Sequence, residues 1–259
     1  MALTADRNTP RHAEGGIRLY GAAAAKIFAG ALVMANASGF ATKGQTALAL
    51  YGIGRANEQV DNSGGAAGDL DVKVEEGIFV WANSAAADEI TIAELGGIAW
   101  AVDDQTVAKT SGSGTRSPAG IIVGVGAEGV HVKMGADVLT EFRKSRKKLV
   151  QLRLTTLAGA GSPAYRVISP FTGLMTKLQA IIELALTTAN ATITVSIAGA
   201  AVTNGVVTAV QAASAAGSKF TATPTAANYV TAGDEIKAVV TGGQDAAAPA
   251  NLIIEIDAD

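Results

Sequence analysis

The sequence predicts an all-β chain in two parts, a small N-terminal β-barrel with one short helix and a C-terminal β-sandwich. Three observations lead there. Short apolar runs separated by turn residues recur from Ile17 to about Met134. Thr- and Ala-rich alternating runs resume at Leu149 and continue to Ile256. Between them lies Glu141–Lys148, five of whose eight residues are basic in a chain with only 17% charged residues, and a composition break of this kind marks a domain boundary. The 259 residues, 49% of them hydrophobic, suffice for two ordinary β domains. Aromatics at 5% and abundant Ala, Gly, Val and Thr suit thin β structures with small core side chains.

The elements follow in order. Residues 1–16 contain almost nothing apolar after Leu3 and read as an extended arm with no core of its own to join. The barrel domain is expected over 17–140. Ile27–Val33 ends at the turn Asn36-Ala37-Ser38-Gly39. Leu70–Val74 alternates, and Glu76-Gly77 turns it into Ile78–Trp81. Asp88–Leu95 is the helix candidate, with Ser84 or Asp88 as N-cap and Gly96-Gly97 as the stop. Ile98–Val102, Ile121–Val123 and Val130–Met134 complete the barrel series. Residues 141–150 are expected as a hydrated basic linker, and 151–259 as the sandwich, jelly-roll or immunoglobulin-like. Within it, Asn204-Gly205 predicts a hairpin between Ala201-Val202 and Val206-Val207.

Catalytic chemistry finds little purchase. With no cysteine there is no disulfide, thiolate nucleophile or Cys-based zinc site. Gly124-Val125-Gly126-Ala127-Glu128-Gly129 has dinucleotide-fingerprint spacing, but the alternating Val130–Met134 follows where the fingerprint needs a helix N-terminus, so it reads as a β-turn. His12 and His131 have no neighbouring nucleophile or metal-ligand spacing. Asp61, Asn62, Asp69 and Asp71 read as Asx-turn residues rather than as a calcium loop. Asp103-Asp104 and Asp234-Glu235 are expected at turns, without a buried setting. No catalytic, cofactor or metal residues are assigned, and the chain is expected not to be an enzyme. Net charge −3 argues against direct nucleic-acid binding. The polar first residues are expected not to be a signal peptide, and no stretch suffices to cross a bilayer.

Four collinear blocks carry a family resemblance over about residues 1–134. Met1-Ala2-Leu3-Thr4-Ala5-Asp6-Arg7-Asn8-Thr9-Pro10-Arg11 and Ile27–Val33 resemble the start of tailed-phage and prophage capsid decoration (cement) proteins. Val60–Asp69 and Val102–Lys109 resemble the same family, which lies in head-gene clusters including those of Mu-like phages. Thr172–Lys177 through Pro224–Asn228 resembles the C-terminal domain of phage head-fibre or decoration proteins. The resemblance implies a β-barrel bound to the outside of the assembled major capsid protein shell, commonly as a trimer, with no catalytic residues. The expected contact set is Arg7, Asn8, Thr9, Pro10 and Arg11, and the expected location is the virion exterior, after synthesis in the host cytoplasm. The alternative is a head-displayed carbohydrate- or cell-surface-binding module. For that role the second domain offers only Tyr165, Phe171, Phe220 and Tyr229 as stacking rings.

Overall fold

A computed structural model of the chain describes residues 3–9, 16–135, 138, 146–158, 164–242 and 248–258. It is all-β, in two compact units, 1–144 and 145–259.

The first unit holds an open sheet and a closed barrel. Strands β1 (Ile17–Gly21), β3 (Leu32–Ala35), β4 (Ala41–Lys43), β5 (Tyr51–Ala56) and β7 (Asp71–Glu75) form the sheet in the order β1-β7-β5-β3-β4, and β2 (Lys26–Ile27) pairs separately with β6 (Val60–Asp61). The barrel is β8 (Gly77–Asn83), β9 (Ile98–Ala101), β10 (Thr106–Ala108), β11 (Pro118–Gly126) and β12 (Gly129–Met134). Its order is β10-β8-β12-β11-β9, closed where β10 pairs parallel with β8 and antiparallel with β9. The barrel expected over 17–140 therefore occupies its second half, with the open sheet beside it. All four residues of β3 are buried: Leu32 and Met34 join Phe79, Trp81 and Val132 in the barrel core, while Val33 and Ala35 join Ile53, Val72 and Val74 in the sheet core. A strand covered on both faces has no polar side, which is why this run reads as continuously apolar.

The helix expected over Asp88–Leu95 is replaced by two 3₁₀ turns, Ala86–Asp88 and Ile92–Glu94. The Asn83 side chain explains the break. Its Oδ1 accepts from Ile90 N–H (2.9 Å) and its Nδ2 donates to Ile90 O (2.7 Å), so neither backbone group is free for a helix. Thr91, rather than Ser84 or Asp88, supplies the helical cap, in a capping box with Glu94.

The second unit is a sandwich. One sheet runs β13 (Lys147–Leu154), β21 (Ala250–Ala258), β15 (Gly173–Ile182), β18 (Lys219–Ala222), with β19 (Tyr229–Val230) also on β15. The other runs β14 (Tyr165–Ile168), β20 (Glu235–Gly242), β16 (Ala191–Ile197), β17 (Ala200–Ala209). Every pairing is antiparallel, and one core takes residues from both sheets.

Two sequence expectations are corrected here. The sandwich begins before residue 151, because Lys147 and Lys148 already pair with Asp257 and Ile256 in β13. Arg146 Nε donates to Ala258 O (2.6 Å) and Lys147 Nζ meets Glu255 Oε1 at 2.9 Å, so part of the basic run is bound rather than hydrated. Residues 141–145 lie outside the described residues. Asn204-Gly205 forms no hairpin turn, since β17 runs through it. The turn is Ala198-Gly199, both at positive φ (47° and 86°), between the paired Ile197 and Ala200. Residues 202–205 form a bulge instead, opposite Val195 alone.

Candidate functional site

The described part of the arm lies on its own unit. Leu3 packs against the sheet core, and its N–H donates to Asp104 Oδ1 at 2.8 Å. Arg7 N–H donates to Ala29 O (3.1 Å), and the buried Thr9 hydroxyl donates to Gly30 O (2.5 Å). Arg55 Nη1 in turn donates to Thr9 O at 2.5 Å. Gly30 makes the approach possible: it has φ +78°, and a Cβ there would stand 1.8 Å from Arg7 O. The arm was expected to have no core to join, which for Leu3–Thr9 is corrected. A single apolar residue and a single buried hydroxyl suffice because the cradle supplies the remaining groups.

Beneath the arm runs a row of cations over rings. The Arg7 guanidinium sits 5.9 Å from the Trp81 ring centroid and that of Arg55 sits 5.3 Å from Phe79, whose ring is 6.2 Å from Trp81. Arg55 also pairs with the buried Glu75 at 2.5 Å. Asp104 is 1% exposed, and its Oδ2 is buried without a hydrogen bond. Burial, followed by the neighbouring charge of Asp103, holds its carboxyl above the ordinary aspartate value, against the hydrogen bond from Leu3. The expectation of an unburied turn carboxylate is thus corrected at Asp104. Its partner in this setting is an arm residue 101 positions away, a pairing that no local pattern signals.

Of the expected contact residues, Arg7 is half-buried over Trp81, Asn8 is exposed and Thr9 is buried; Pro10 and Arg11, like His12, lie outside the described residues. Gly126 and Gly129 flank a two-residue hairpin loop, and no helix follows. Asp61 Oδ1 accepts from Ser63 N–H and Oγ–H, Asp69 Oδ2 accepts from Ala66 N–H, and the buried Asn62 amide donates to three backbone carbonyls. These are turn contacts, and no cluster of three or more metal-ligating side chains occurs among the described residues. His131 Nε2 lies 2.6 Å from Glu128 Oε1 on β12. Asp234 Oδ2 caps Thr231 N–H, and Glu235 pairs with Arg166. In the second unit Tyr165 is buried with its hydroxyl on Thr156, and Phe171 and Phe220 pack against the core. Phe171 and Phe220, like Tyr229, keep part of their surface exposed, whereas Tyr165 does not. No described helix is long and apolar enough to cross a membrane.

Compared with known proteins, the chain matches no family model, no curated protein and no solved structure.

Proposed function

We propose that the chain is a structural capsid decoration protein that binds the outside of an assembled major capsid protein shell and stabilises it. One observation carries this reading: the separate sequence blocks that resemble decoration proteins converge in space. Leu3 and Thr9 of the first block bond Asp104 of the fourth and Gly30 of the second. Leu32 N–H of the second block donates to Asp104 O at 2.8 Å. In the third block, Asn62 anchors the loop to Ala22 and Ala23, just before β2. Blocks spaced along more than a hundred residues thus lie against one another within the first unit, which supports reading them together.

The mechanism is mass action. A protein that binds the assembled shell but not its free subunits stabilises the shell as a ligand stabilises a folded state. Arg7 and Thr9 fix the path of the arm, and contact with the shell falls to Asn8, Pro10 and Arg11. Such a role needs neither cofactor nor metal, and it places the protein on the virion exterior. The test is to mix the purified protein with expanded, undecorated capsids assembled from the major capsid protein of the same genome and count bound copies after sedimentation. Saturable, stoichiometric binding, with a rise in capsid melting temperature, is expected. Absence of binding at micromolar concentrations would overturn the proposal.

A further inference from the structure

Residues 3–9 are fastened to the first unit from outside its cores. No described strand includes them, and both core clusters are built from Ala22 onward, with Leu3 packed against one of them. Thr4, Ala5, Asp6 and Asn8 are exposed, and the hydrogen bonds to the rest of the unit run through Leu3, Arg7 and Thr9. Docking also leaves polar groups unmet. Arg7 Nη1, Arg55 Nε, Trp81 Nε1 and Asp104 Oδ2 are buried without a hydrogen bond, four of the five such side-chain atoms among the described residues. All four belong to the segment or to its cradle, where Arg7 lies over Trp81, Arg55 donates to Thr9 O and Asp104 accepts from Leu3 N–H. A buried polar group without a partner offsets what a neighbouring hydrogen bond contributes. Leaving the cradle returns the Arg7 and Asp104 groups to water and breaks no sheet pairing.

We propose that residues 3–9 form an exchangeable strap, which leaves the cradle while the sheet and barrel stay folded and gives place to the same segment of a second copy. The bonds that hold the segment run between it and the body of the unit, and none of them passes through the stretch that joins Thr9 to Gly16. A second copy's segment therefore makes the identical set, Leu3 N–H to Asp104 Oδ1, Arg7 N–H to Ala29 O and the Thr9 hydroxyl to Gly30 O. Thr9 and Gly16 are seven positions apart, a span of up to about 24 Å when extended, which is enough to reach a neighbouring copy. A segment tethered this closely competes for its own cradle at an effective concentration on the order of millimolar. Dilute protein thus keeps its own strap, and exchange belongs to closely packed copies. It links them by contacts already made within one chain, and it does not depend on shell binding.

Amide hydrogen exchange of the full chain separates strap from body. Arg7 N–H, bonded to Ala29 O, reports the strap, while Leu32 N–H and Ala56 N–H, bonded to Asp104 O and Ala31 O, report the body. Arg7 N–H should exchange faster than both. Thr9→Val removes the bond of the buried hydroxyl and should speed Arg7 N–H by up to about tenfold, with Leu32 and Ala56 unchanged. A synthetic peptide of residues 2–10, added to the unaltered chain above the tethered concentration, should displace the strap and speed Arg7 N–H again. The same peptide carrying Thr9→Val should need a higher concentration to do so. The proposal is overturned if Arg7 N–H is as protected as Ala56 N–H, or if Thr9→Val moves all three amides together. It is equally overturned if the unaltered peptide at about 10 mM, well above the effective concentration of the tether, leaves Arg7 N–H unchanged.

Discussion

Asp104 concentrates the chemistry of the arm in one side chain. One carboxylate oxygen holds Leu3 N–H, and the other is buried without a hydrogen bond. Burial raises its pKa, so between the ordinary aspartate value and the raised one the folded chain binds protons that the unfolded chain has released. Stability of the first unit therefore falls as pH rises through that window. Asp88 behaves in the opposite sense. The Thr110 hydroxyl, and then Arg116, hold its carboxyl below the ordinary value, so its contribution is present above that value and lost as pH falls through the lowered one. Asp104→Asn keeps an oxygen for Leu3 N–H and removes the titration. Thermal unfolding of this variant from about pH 3 to about pH 7 should lose the downward slope on the neutral side and keep the acid limb. An unchanged profile would mean that Asp104 is ionised without cost.

At the scale of elements, the hairpin between β16 and β17 marks the limit of local signals. Asn-Gly is a strong turn signal, yet the chain turns at Ala198-Gly199. The reason lies on the far side of β16, which pairs with β20 along its whole length and buries Ile193, Val195 and Ile197. A strand held that far cannot turn before Ile197. The Asn-Gly pair then serves as the bulge that lets Val202 and Val207 both face the core. Ala198, at φ +47°, is a poor residue for a turn whose two central positions need positive φ. Ala198→Asn should therefore stabilise the second unit by about 1 kcal/mol in urea unfolding. A loss of stability would show that the Ala198 methyl has a packing role. The helix misread at Asp88–Leu95 has the same origin: caps and a glycine stop were legible, but the Asn83 amide that claims Ile90 comes from a neighbouring strand.

At the scale of the molecule, periodicity and turn residues made the all-β class and its division into two units legible. Alternation in Leu70–Val74 and Leu149–Leu154 survives directly in β7 and β13, with Val150, Leu152 and Leu154 inward. The arm's cradle was not legible, because Gly30, Arg55 and Asp104 meet only after the sheet and barrel have formed. Placement of β21 has a further consequence, for synthesis rather than stability. This last strand of the sandwich lies between β13, the first, and β15. A ribosome delivers the strands in order, so β13 waits for its partner while every other strand of the unit is made. The first unit can close by Met134, whereas the second stays an unfinished sheet until Ala258 has left the exit tunnel. Stalled nascent chains should thus show a protease-resistant first unit well before the second. Resistance of the second unit in chains halted before Ala250 would show that β13 finds another place in the fold.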